Sequence, residues 1–187
     1  MLLTVNRTSK LNIIALILLT SSGGALAASD SATVNITATV SDNTCTPEWD
    51  SAGVDVPMGK ASLRDFASQG DVALTKIFNL KLDNCGQGAS RVKVTASGEP
   101  DNYDPKAFKN VIDASSSGAG GVAITIFGDA TQSMQMMPDG SSSVEYDVDS
   151  ESKTVDMKFL AKLEQSSSTA ATAGDVKSVV NMTVDYE

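Results

Sequence analysis

The chain of 187 residues contains no histidine. That absence excludes Ser-His-Asp and Cys-His catalysis and every histidine-ligated metal site. Its two cysteines are too few for a thiolate zinc cage. Positive charge is also scarce: 14 Lys and Arg stand against 23 Asp and Glu, a net charge of −9. Binding to nucleic acid needs clustered Lys and Arg to neutralise phosphate, so the balance argues against it. It argues equally against an anionic membrane surface. The length suits one ordinary domain or two very small ones.

What is present begins with an address. Arg7 and Lys10 form a short positive region, and Leu11 to Leu19 is an apolar run. Thr20 to Gly24 breaks it, and Ala25-Leu26-Ala27 offers a small-residue cleavage site. The run is shorter than the roughly 20 residues a spanning helix needs. Residues 1–27 are therefore expected to be a signal peptide, with the mature chain starting near Ala28. No cysteine follows the cut, so a lipid anchor is not expected. Removing Arg7 and Lys10 leaves 12 basic and 23 acidic residues, a balance of −11. An exported product meets an oxidising compartment, so Cys45 and Cys85 are expected to pair. The chain-entropy model assigns a crosslink closing such a loop about 4 kcal/mol.

The mature chain alternates almost throughout. Val34, Ile36, Ala38 and Val40 alternate with Asn35, Thr37 and Thr39. The same period recurs at Val54-x-Val56-x-Met58, Phe78-x-Leu80-x-Leu82, Val92-x-Val94 and Val122-x-Ile124-x-Ile126. It continues at Val155-x-Met157-x-Phe159-x-Ala161-x-Leu163 and Val180-x-Met182-x-Val184. Each is a period-2 segment and is expected to bury one face. Turn-forming clusters separate them at residues 83–86, 115–121, 128–129, 139–140 and 173–175. Ala61 to Ala67 has room for a single helical turn. About seven short strands with turns between them imply an all-β sandwich.

Three pieces then converge. An alternating segment precedes Cys45, Phe78-x-Leu80-x-Leu82-x-Asn84-Cys85 surrounds the second cysteine, and the terminus runs from Gly174 to Glu187. Together they resemble pilin subunits of chaperone–usher fimbriae of the type 1 kind, over essentially the whole mature chain. Counted from the end, Tyr186 is second, Val184 fourth, Met182 sixth, Val180 eighth and Gly174 fourteenth. That order is similar to the family's terminal strand.

The resemblance implies an immunoglobulin-like sandwich that lacks its last strand. The resulting groove is filled first by a periplasmic chaperone. It is then filled by the N-terminal extension of a neighbouring subunit, with an outer-membrane usher as the assembly site. Residues 28–40 are the expected donor strand, ahead of one pilin domain at 41–187, and Ala32, Val34, Ile36, Ala38 and Val40 share one face. Fully burying a Val or Ile side chain is worth about 1.5–3 kcal/mol. Ala38 lies seven residues before Cys45, where the family often has glycine. Gly174, Val180, Met182, Val184 and Tyr186 are the expected chaperone-contact strand, with Glu187 anchored by basic chaperone residues. The implied function is a structural, non-enzymatic subunit of a bacterial surface fimbria that supports adhesion, with no cofactor. The alternative is a receptor-binding adhesin subunit with ligand-binding loops.

Other signals carry less. Asp101-x-x-Asp104 and Asp147-x-Asp149-x-Glu151 could suggest paired-carboxylate hydrolysis or calcium. They lack the glycine and spacing of a calcium loop and read better as solvated loops. Asn35-Ile36-Thr37 and Asn181-Met182-Thr183 match the glycosylation triplet, but both fall in strands. Met134 to Met137 and Trp49 read as packing residues.

Overall fold

In the computed structural model, residues 44–187 are described. Among the described residues nine strands form: β1 (Thr46–Pro47), β2 (Val72–Asp83), β3 (Arg91–Gly98), β4 (Phe108–Lys109) and β5 (Val122–Gly128) come first. Then follow β6 (Met134–Met136), β7 (Asp139–Asp147), β8 (Val155–Gln165) and β9 (Val180–Tyr186). A single 3-10 turn at Leu63–Asp65 lies in the region where one helical turn was expected. It is held by a reciprocal cap between Ser62 and Asp65.

All ladders are antiparallel. The larger sheet runs β1-β2-β8-β5-β4, with β6 also paired to β5, and the smaller runs β7-β3-β9. The cause is visible in β8, whose burial alternates along Val155, Met157, Phe159, Ala161 and Leu163. That face meets Val92, Val94 and Ala96 of β3 and Val144 and Tyr146 of β7 in one core. Phe159 anchors it, stacked on Phe78 at 5.4 Å and edge-on to Tyr146 at 5.7 Å. The disulfide joins Cys45 to Cys85 as expected, tying the start of the described chain to the end of β2.

Three expectations need correction. Val54, Val56 and Met58 form no strand. Pro57 removes a donor, Gly53 and Gly59 bracket the run with φ of +87° and +101°, and no described neighbour pairs with it. Second, β5 buries both faces. Ala123 and Thr125 on its outer side are short, and their cross-strand neighbours Lys109, Lys162 and Glu164 are long enough to cover them. Third, β7 is a strand where the pattern gives only a turn at Asp139-Gly140. Its first five residues, Asp139 to Ser143, are polar, so its alternation begins late.

One buried polar contact links the two sheets. The Tyr146 hydroxyl donates to the Lys158 carbonyl at 2.7 Å and accepts from the Asp129 N–H at 3.0 Å. Burial pushes the phenol up to about 12. The folded state therefore holds this proton more tightly than the unfolded chain, whose tyrosines ionise near 10. The contribution is complete below pH 10 and is lost as pH rises through about 12. Tyr146→Phe is expected to cost about 1–2 kcal/mol at neutral pH. The gap between wild type and variant should then narrow from pH 10 to 12, as read from denaturation midpoints against pH.

Candidate functional site: an open groove beside the β9 edge

Among the described residues the core is open along one side. A groove of about 1120 Å³ runs between β9 and the chain around residues 49–66. Its floor is the inner face of the larger sheet, with Leu80, Ile124, Ile126 and Leu163 buried at 4–8 % exposure. Its sides carry Met58, Phe66, Phe78, Val180 and Met182, all only half-buried although they pack on the core.

Among the described residues both walls present unused backbone. On β9, the Glu187 N–H donates to the Arg91 carbonyl and the Arg91 N–H donates back, at 2.9 and 3.1 Å. In an antiparallel ladder such exchanging pairs alternate with non-bonded ones. The odd-numbered residues of β9 therefore bond to β3, while Val180, Met182 and Val184 turn N–H and C=O away from it. Among the described residues β9 pairs with β3 alone. The opposite wall, residues 54–61, makes no backbone hydrogen bond within the described residues. Backbone groups left in this state need a partner or water. An extended segment with alternating apolar residues satisfies both walls and the floor together.

The local structure explains why β9 stands where it does. Asn110, 8 % exposed, donates through Nδ2 to the carbonyls of Ala119 and Asp175 and accepts through Oδ1 from the N–H groups of Ile112 and Lys177. Nothing in the sequence pattern singles out Asn110, since its role appears only when four distant backbone groups meet it. Gly174 sits where a parallel bridge pairs Gly118 with Asp175. A Cβ there would collide with the backbone of Gly118 and Ala119. The glycine fourteenth from the end is thus required by close approach of two backbones.

The other residues expected on this strand fall as follows. Val180 and Met182 line the groove, Val184 follows on the same face, and the Tyr186 hydroxyl donates to the Cys45 carbonyl at 3.4 Å. One terminal oxygen of Glu187 accepts from the N–H groups of Ser90 and Arg91 and from the Ser90 hydroxyl. Ala32, Val34, Ile36, Ala38 and Val40 lie outside the described residues.

The acidic runs are turn-makers. Asp129 accepts from the N–H and hydroxyl groups of Thr131 and Ser133, which hold its carboxyl far below the usual range. Asp149 is lowered by the same kind of bonds from Ser152 and Glu151. Asp101 accepts from the N–H groups of Tyr103 and Asp104. Glu145 and Asp147 pair with Arg91. No cluster of metal-ligating side chains occurs among the described residues.

Among the described residues the sandwich leaves the β9 edge open over its core, an incomplete immunoglobulin-like domain with the architecture of a pilus subunit. The sequence pattern of the family described as Fimbrial protein matches residues 34–187, and the chain belongs to that family. It is 31 % identical over 155 residues to the S-fimbrial protein subunit SfaG of Escherichia coli, covering 82 % of each chain. It is 32 % identical over 155 residues to the fimbrial-like protein YcbV of the same species, covering 83 % of this chain and 85 % of that one. A solved chaperone–usher pilus superposes with a TM-score of 0.59 at 22 % identity, over 84 % of this chain and 96 % of that one. The chain is a structural subunit of a surface fimbria.

Gly174→Ala is expected to cost about 1–3 kcal/mol by forcing the two backbones apart. The effect should appear as a lower thermal midpoint of the oxidised chain. Gly70→Ala separates the two causes, since its Cβ meets open space and its cost comes only from a φ of +91°.

Proposed function

We propose that this subunit polymerises by strand donation: residues 28–40 of one copy fill the groove of the preceding one. The observation that carries the reading is the groove itself, an apolar floor between the open edge of β9 and an extended segment, both with backbone unpaired among the described residues. The donor fits in pattern. Ala32, Val34, Ile36, Ala38 and Val40 provide the alternating face that such a groove takes, and the backbone between them completes both ladders.

The rest of the cycle follows from the same physics. Residues 1–27 direct export and are removed, and oxidation then closes Cys45 to Cys85. An open groove with a free strand edge is an aggregation hazard. A periplasmic chaperone covers it until an outer-membrane usher brings the next subunit. Val180, Met182, Val184 and Tyr186, entered through Gly174, form the strand that the chaperone holds. The work of the protein is mechanical cohesion and support of adhesion, with no catalytic step and no cofactor. No feature of the described loops favours the receptor-binding alternative.

Deleting residues 28–39 is expected to leave chaperone binding intact and to abolish joining to the preceding subunit. Normal incorporation of that truncated chain into fibres would refute the donor assignment. Ala38→Leu is expected to slow displacement of the chaperone by a donor peptide, because the added side chain must enter a groove of fixed width. Equal displacement rates for the two peptides would remove Ala38 from that role.

A further inference from the structure

The groove is charged at one end. Lys60 and Lys177 line it from opposite walls, and neither forms an ion pair within the described residues. Both belong to the same end. Lys60 precedes the turn at Leu63–Asp65, and just beyond it the Gly70 N–H donates to the carbonyl of Gln165, the last residue of β8. Lys177 precedes β9 and is held by Asn110, which also holds Asp175 and Ala119. The Ser166 N–H donates to the Gly121 carbonyl, which closes this end. Asp175 lines the groove here too, so this end carries two lysines and one carboxylate. Asp50 and Asp55 line it further back, toward Trp49.

The donor segment is bounded by charge as well. Its apolar face runs from Ala32 to Val40, and Asp30 and Asp42 take the next positions on that face at either end. The two walls run in opposite directions. Residues 49–66 leave the disulfide end, whereas β9 returns to it, where the Tyr186 hydroxyl meets Cys45. A strand between them is antiparallel to one wall and parallel to the other. The regular ladder is on β9, and antiparallel pairing is the more stable per residue. In that direction Val40 reaches the start of β9, and Asp42 passes beyond it to the lysines.

We propose that Lys60 and Lys177 of one copy receive Asp42 of the next, so that charge as well as apolar fit selects the strand the groove takes. This rests on the strand-donation reading. Mature copies carry −11 each and repel one another at long range. Two lysines beside one carboxylate at this end of the groove oppose that field locally, which acts on the rate of capture and on the choice between competing strands.

The test follows polymerisation of the full mature chain at low and high salt. Lys60→Glu with Lys177→Glu is expected to slow joining to wild-type copies about five- to tenfold at low salt and less at high salt. Lys60→Gln with Lys177→Gln, which adds no negative charge, should fall between this and wild type. Asp42→Lys in the incoming copy restores the rate with the glutamate variant, and Asp30→Lys does not. Lys177→Cys in one copy crosslinks to Asp42→Cys in the next. An unchanged rate in both lysine variants, or rescue by Asp30→Lys instead, overturns the proposal. Polymerisation of a chain lacking residues 28–39 would overturn the strand-donation reading itself. Loss of polymerisation there, with unchanged rates in the lysine variants, removes only the ion pair.

Discussion

Backbone hydrogen bonding is the constraint on which the rest depends. Each strand presents donors and acceptors on two edges, and a sandwich this small cannot hide every edge. On β9 the inward residues Val180, Met182 and Val184 are also those whose N–H and C=O point away from β3. The apolar face and the open edge therefore belong to the same residues. A strand that pairs with this edge is carried over the core, and a strand attracted to the core is placed for pairing. Neither interaction alone gives specificity, because apolar burial is non-directional and backbone pairing is blind to side chains.

The other edge of the smaller sheet works in the opposite sense. On β7 the Val148 N–H donates to the Ser90 carbonyl, so the even-numbered residues bond to β3. The outward backbone belongs to Ser143, Glu145 and Asp147. Two of these carry charge and are engaged by Arg91. Charged residues on an edge discourage added strands. One sheet thus has an edge suited to a partner and an edge suited to water, and the difference lies in which residues face outward.

The supports of the open edge are distant from it in sequence. Asn110 holds the loop before β9 through four backbone groups. Gly174 allows that loop to lie against Gly118 and Ala119. The disulfide and the Tyr186 hydroxyl fix the far end at Cys45. Both ends of the open edge are thus tied to the rest of the domain.

Much of this was legible without coordinates. Period-2 patterning marks β2, β3, β5, β8 and β9, because a half-covered strand must alternate and five or more residues suffice to show it. The cysteine pairing followed from export, and the terminal count from Gly174 to Tyr186 identified the family. The pattern could not separate a strand from an extended segment awaiting one: Val54, Val56 and Met58 alternate but pair with no described neighbour. Nor could it show β7, whose first half is polar on both sides, or the double burial of β5, which depends on the length of neighbouring side chains. Sequence by itself determined that the chain is an all-β subunit with a crosslinked core, since alternation and cysteine content are local properties. Only the tertiary structure decided which edge stays open and how wide it is. Those properties come from Asn110, Gly118 and Gly174 meeting across the fold, and no local pattern records such a meeting.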